Sequence, residues 1–254
     1  MKGYSIFFCM MAGILLSAAE MGKYDSISHN WHVKGKRFEC IFFEGHMFPS
    51  RFTVIPGGEL PRCGFQDAIR VPGDKKAYQL NLDRWAKLRV VKNTPDEFEV
   101  ELTGKFCLPG ARHMETVTGI TAVYRYRFPA DKPGFFMTCR LVRGPEMPHE
   151  IRVQSTLTLA WRTEKLFDRI KILPENREIF LSPPGRYVDR SRADEAILSG
   201  EKWIAKVRSR RVIAGVRSDS YTNRTLLNTG FWDLDWKAGD LTCQAEIEFQ
   251  SKGE

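Results

Sequence analysis

Beyond its first nineteen residues this sequence has no apolar run long enough to cross a bilayer, which takes about 20 consecutive apolar residues. It has no Cys-x-x-Cys, which removes zinc knuckles and dithiol redox motifs. It also lacks a Gly-x-Ser-x-Gly elbow, a phosphate-binding glycine loop, a dinucleotide fingerprint and a His-Glu-x-x-His helix. The signatures of common hydrolases, nucleotide enzymes and zinc proteases are therefore missing. Its five histidines, His29, His32, His46, His113 and His149, show no ligand spacing. His29 and His32 would share a face only on a helix, and the pattern around them is not helical. No metal and no cofactor is expected. Ser/Gly-rich linkers, low-complexity tracts and internal repeats are absent as well, so one domain is expected from Glu20 to Glu254.

What the N-terminus does contain is an export signal. Lys2 supplies a positive start, Ile6 to Leu16 an apolar stretch, and Ser17-Ala18-Ala19 the small residues a signal peptidase reads. Residues 1–19 are assigned to the signal, with cleavage after Ala19, and Cys9 lacks the small-residue context of a lipid-anchor site. The protein is expected to be secreted or periplasmic. Its formal net charge is +8, one unit of it from Lys2. For an exported protein that excess speaks against nucleic acid as partner and for an acidic polymer or anionic surface, with solubility as the plain alternative. Five cysteines remain after cleavage: Cys40, Cys63, Cys107, Cys139 and Cys243. Cys40, Cys139 and Cys243 fall on apolar strand positions and read as small core residues. Cys63 and Cys107 lie beside turn residues, and if a bridge forms it is expected between those two.

The body of the chain is written in period-two alternation. In Thr121–Phe128, Ala122, Tyr124, Tyr126 and Phe128 alternate with Thr121, Arg125 and Arg127. Phe135–Val142 and Ile151–Trp161 continue in the same way, separated by segments rich in Pro and Gly. Such alternation marks strands with one face on a core and the other toward water. Arg37–Glu44, Arg51–Ile55, Glu97–Leu102, Lys202–Arg208, Arg211–Arg217 and Leu241–Phe249 add further strands. Residues 21–35 are read as a leading strand or an ordered arm, and 186–197 as a loop or surface turn of helix. The fold class is all-β: a single large antiparallel β-sandwich, supersandwich-like, with little helix.

The order of these elements resembles the galactose mutarotase-like β-sandwich superfamily. The likeness is carried by Thr118–Phe128 with its Pro/Gly break and Phe135–Arg143, which are similar to that superfamily's central hairpin. Trp236-Lys-Ala-Gly239-Asp240 before a long final strand resembles its Gly-acidic turn, and the resemblance spans Glu97 to Phe249. It implies a sandwich that acts on carbohydrate, either as a sugar epimerase or as a module of glycoside hydrolases and polysaccharide lyases. Mutarotases of the superfamily use a His within an Asn-His motif and a Glu. Here His29-Asn30 has the reverse order and His149-Glu150 sits in a different context, so mutarotase chemistry is not carried over.

The candidate residues fall into three groups. His149, in a Pro-flanked turn feeding a long strand, and Tyr187, after Pro183-Pro184-Gly185 and beside Arg186, are the candidates for proton transfer; a solvent-exposed turn is the alternative for both. Arg125, Arg127, Arg140 and Arg152 belong to the faces opposite the aromatic core of three strands read as a meander. With Arg208 and Arg210, and flanked by Gln154, Thr156 and Thr158, they would make a basic sheet face for carboxylate or sulfate groups. The alternative is a solvated face on which Glu99 and Glu101 pair with the arginines. Trp232, Asp233 and Trp236, with Asp235, suit a neutral sugar through ring stacking and carboxylate acceptance, but the same alternation would bury Trp232, Leu234 and Trp236 together. The expectation is an exported carbohydrate-binding β-sandwich for an anionic polysaccharide. An epimerase or lyase of the same superfamily is the first alternative and a cell-surface structural or protein-binding module the second.

Overall fold

The alternating stretches become strands because extended backbone is the conformation that sends successive side chains to opposite faces. The computed structural model describes residues 20–60, 63–65, 67–109, 116–117, 119–148, 150–161, 166–180, 193–209, 215–219 and 224–253. For 63–65, 160–161, 215–219 and 224–226 only the backbone is described. In chain order the strands begin with β1 (Gly22–Asp25), β2 (Asn30–Lys34), β3 (Phe38–Phe43), β4 (Pro49–Val54), β5 (Gly58–Glu59), β6 (Cys63–Phe65), β7 (Ala68–Arg70) and β8 (Tyr78–Gln79). Next come β9 (Lys87–Asn93), β10 (Glu97–Gly104), β11 (Ile120–Pro129), β12 (Gly134–Arg143), β13 (Ile151–Ser155), β14 (Thr158–Trp161) and β15 (Arg169–Leu173). The last are β16 (Arg177–Phe180), β17 (Glu195–Ser199), β18 (Trp203–Ser209), β19 (Gly215–Asp219), β20 (Arg224–Asn228), β21 (Trp232–Trp236) and β22 (Leu241–Ser251). A single 3-10 turn, Leu80–Leu82, is the only helix among the described residues.

A nine-stranded antiparallel sheet, in the order β16-β15-β17-β18-β22-β12-β11-β10-β9, is the backbone of the molecule. Among the described residues three smaller sheets accompany it: β1-β2-β3-β4-β5, β21-β13-β7-β8 and β19-β20-β14-β6. The five-stranded sheet covers part of its inner face through interlocked rings. Phe38 stacks on Phe128, Phe42 meets Tyr126 and Phe128, and Phe52 meets Phe135 and Phe249. All of these but Phe52 and Phe135 are within 2 % of complete burial, and those two are still buried. The expected all-β antiparallel sandwich is the observed architecture.

The small sheets meet the same inner face through polar contacts. Thr156 Oγ1 lies 3.5 Å from Cys243 Sγ on β22, and Ser209 Oγ on β18 donates to the Thr229 carbonyl at 2.7 Å. Gly230 is required where these layers touch, because a Cβ there would come within 2.9 Å of Cys243 Sγ and 2.4 Å of Thr156 Oγ1.

Several sequence expectations change at this level. Ile151–Trp161 is two strands in two sheets, because the chain turns a corner at Leu157, whose φ is +50°. Asp67, fully buried, fixes that corner by accepting the backbone N–H groups of Leu157 and Thr158, both at 2.9 Å. Thr156 and Thr158 are consequently core residues, 0 % and 2 % exposed, and not a polar flank. The meander also fails, since β12 is followed in space by β22 and not by β13. Residues 21–35 form the β1–β2 hairpin, and Glu195–Ile197 lie in β17, a paired strand inside the large sheet. Cys107 is a free buried thiol, so the pairing with Cys63 is not formed. Burial pushes that thiol up to about 11, and the nearby Asp83 carboxylate pushes the same way.

Candidate functional site

The outer face of the nine-stranded sheet carries the residues that alternate with the aromatic core. Antiparallel register places Glu99 opposite Arg127, Arg127 opposite Phe136, Phe136 opposite Glu246, Glu246 opposite Arg208, and Arg208 opposite Glu195. One transverse row therefore crosses β10, β11, β12, β22, β18 and β17. A second row places Glu101, Arg125, Thr138 and Gln244 side by side. Neighbouring strands lie about 4.8 Å apart, so the four steps from β10 to β18 span about 19 Å.

Over these rows runs a groove of about 720 Å³, within the range of about 300–1,000 Å³ typical of ligand sites. Among the described residues its charged lining is three arginines, Arg125, Arg127 and Arg208, and three carboxylates, Glu99, Asp194 and Glu246. Thr138 and Gln244 add uncharged polar groups, and Phe136 an aromatic one. Arg125 reaches Glu99 through Nε. The Arg208 Nε donates to Glu195 at 2.8 Å, and a terminal nitrogen stands 3.6 Å from Glu246. The bond to Glu195, more than the neighbouring charges, raises the already high pKa of Arg208. Arg127 lies over the Phe136 ring, 4.3 Å from its centre, with Glu97 at 3.8 Å, too far for a hydrogen bond. Lys132 approaches the same ring at 5.1 Å.

The arginines singled out in the sequence are thus divided. Arg125 and Arg127 share the groove, and Arg208, expected to extend the patch, joins them. Arg140, on β12, is held by Asp240 through Nε at 3.0 Å and a terminal nitrogen at 2.6 Å. The backbone N–H of Arg143 and then Arg140 hold the Asp240 carboxyl below its usual range. Arg152 stands in a different sheet, on β13, where its Nε bonds Asp233 at 2.5 Å. A single basic hollow of four arginines does not form, because the corner at Leu157 assigns β13 to another sheet and each of the four has a carboxylate beside it.

The tryptophan cluster divides too. Trp236 is 1 % exposed and gives its indole N–H to the Gly239 carbonyl at 2.7 Å, so its ring is core. Trp232 is half-buried, and Asp233, at φ +52°, is exposed and committed to Arg152. His149, Tyr187, Arg186 and Arg210 lie outside the described residues. Glu99, Gln244 and Glu246 were legible as outward positions, whereas Phe136, Thr138 and Asp194 carried no local signal; only the register across distant strands gathers them.

With the geometry in place, comparison with solved structures identifies the fold. An α-mannosidase from Enterococcus faecalis V583 matches at a TM-score of 0.60 and 7 % identity, over 93 % of this chain and 30 % of that one. A family GH36 α-galactosidase from Geobacillus stearothermophilus matches at 0.61 and 9 %, over 90 % and 41 %. A galactose mutarotase related enzyme from Lactobacillus acidophilus matches at 0.52 and 10 %, over 87 % of this chain and 97 % of that one. The chain has the galactose mutarotase-like fold. It spans less than half the length of the two glycosidases, and at these identities the likeness concerns the fold alone. The sequence matches no family model and no curated protein.

Proposed function

We propose that the protein is a carbohydrate-binding β-sandwich and that the groove across the outer face of its large sheet receives the sugar. The observation that carries this reading is the transverse row in which arginines and carboxylates alternate around Phe136. A sugar hydroxyl both donates and accepts, so paired cationic donors and anionic acceptors match it better than charges of one sign do. That solved neighbours of the same fold are named as an α-mannosidase, an α-galactosidase and a mutarotase related enzyme supports the reading by analogy of fold. The anionic polysaccharide expected from net charge draws less support, because each groove arginine already has a carboxylate near it. A glycan panel probed with the purified protein tests the proposal: retention of at least one glycan, released unchanged and weakened by Phe136→Ala, is expected. Release of altered product would move the protein to the enzyme alternative, and retention unaffected by Phe136→Ala would remove the groove as the site. Export through residues 1–19 belongs to the same proposal, and the mature protein is expected to begin at Glu20 on N-terminal sequencing.

A further inference from the structure

The groove has two properties that bear on the ligand's charge and length. Among the described residues its lining is electrically balanced, three cations against three anions, although the chain as a whole carries +8. A polyanion laid along it would meet Glu99, Glu246 and Asp194 as often as it met the arginines, and like-charge contacts of that kind oppose binding. The arginines nevertheless keep donors to offer. Arg125 engages Glu99 through Nε, Arg208 engages Glu195 through Nε, and Arg127 has no carboxylate within hydrogen-bond distance among the described residues. Arg127 is instead laid over Phe136, an arrangement that fixes a flexible side chain before any ligand arrives. The polar groups are also distributed in a line. From Glu99 to Arg208 they cross five strands, about 19 Å, a span a single sugar ring cannot fill.

Resting on the carbohydrate reading above, we infer that the groove binds an uncharged oligosaccharide chain lying across the strands, held by arginine–carboxylate pairs on both sides of Phe136. Vicinal hydroxyls accept from the terminal guanidinium nitrogens of Arg125, Arg127 and Arg208 and donate to Glu99 and Glu246. Phe136, with the Arg127 guanidinium laid over it, forms the platform against which a sugar ring rests. Recognition of this kind depends on hydrogen-bond geometry and not on net charge, so salt has little leverage on it.

Calorimetric titration of the mature protein distinguishes the outcomes. The probes are neutral oligomers of glucose, galactose or mannose, their monosaccharides, and oligo-uronates of matched length, each at low and high ionic strength. A neutral oligomer is expected to bind with an affinity that changes less than about twofold with salt, and to bind more tightly than its monosaccharide by about tenfold or more. Arg127→Ala and the shape-preserving Glu246→Gln should each weaken it by about tenfold, while Arg140→Ala, outside the groove, should leave it unchanged. Tighter binding of an oligo-uronate, lost at high salt, overturns the uncharged ligand but leaves the carbohydrate reading standing. Equal binding of monosaccharide and oligomer overturns the chain-like ligand. Failure of every sugar to bind at either ionic strength, in protein with an unaltered melting profile, overturns the carbohydrate reading itself.

Discussion

The two halves of the interior are built differently, although the same sheet forms one wall of both. Under the five-stranded sheet the core is made of rings: Phe38, Phe42, Phe98, Tyr126 and Phe128 are all fully buried and in mutual contact. Under the two four-stranded sheets it is wired by hydrogen bonds. Asn228 Nδ2 donates to the Thr156 carbonyl at 3.0 Å and to Thr158 Oγ1 at 2.8 Å, while its Oδ1 accepts from Gly230 N at 3.1 Å. Thr229 Oγ1 donates to the Leu157 carbonyl, and Asp67 receives the backbone N–H groups of Leu157 and Thr158. The difference follows from strand continuity. Long paired strands satisfy their own backbone and leave side chains free to be apolar. Where β13 turns into β14, backbone groups lose their ladder partners, and buried polar groups must be paired.

The aromatic half should respond to lost volume. Phe128 touches Phe38, Phe42, Phe98, Tyr126 and Phe135, with ring centres 5.3 to 6.5 Å away. Phe128→Ala should cost about 3–5 kcal/mol in denaturant unfolding, by lost transfer energy and the cavity left behind. A cost below about 1 kcal/mol would mean that the rings do not pack as a unit.

The polar half should respond to pH instead. Burial pushes the Asp67 carboxyl from 3.8 up to about 7, against the opposing pull of the Thr158 and Leu157 N–H groups. A raised carboxyl means that the folded state holds this proton more tightly than the unfolded chain does. Its contribution is full below about pH 4, is lost as pH rises toward 7, and is constant above. Three units correspond to a ceiling of about 4 kcal/mol. Unfolding free energy measured at pH 5 and pH 8 should therefore favour pH 5 from this residue. Asp67→Asn should remove that difference while lowering stability at both pH values, because one amide hydrogen then faces a backbone N–H. An unchanged pH dependence in the variant would show that Asp67 is ionised in the fold at both.

How much of this was legible in the sequence differs between the same two halves. Tyr124, Tyr126 and Phe128 alternate without interruption, so the face they present and the sandwich it implies could be read directly. The corner at Leu157 could not, because Thr156 and Thr158 look like outward polar positions until Asp67, some ninety residues earlier, is brought beneath them. The groove was half legible. Arg125 and Arg127 were identifiable as outward arginines, but their neighbours depend on the pairing of β12 with β22, which brings Cys139 opposite Cys243 across a hundred residues. Local pattern sets the face of a strand, and only the tertiary register sets which strand lies beside it. Arg152 shows the cost: the correct face in the wrong sheet.

The smallest expected effect separates two tyrosines that the sequence cannot tell apart. Tyr124 and Tyr126 lie two residues apart on β11, stack at 6.2 Å and are both fully buried. The Tyr126 hydroxyl donates to the Met47 carbonyl at 3.2 Å, whereas the Tyr124 hydroxyl has no partner among the described residues. A buried hydroxyl without a partner is a desolvation cost, so its removal is neutral or favourable, while removal of a bonded one strands the acceptor. Tyr126→Phe should lower stability by about 1 kcal/mol, and Tyr124→Phe should change it by about 0 to 1 kcal/mol in the stabilising direction. Equal losses in thermal or denaturant unfolding would bring Tyr124 under the rule that governs the polar half, with a hydrogen bond of its own at the margin of the aromatic one. Opposite signs would locate the division between the two halves of the core beyond β11, on the side of β22.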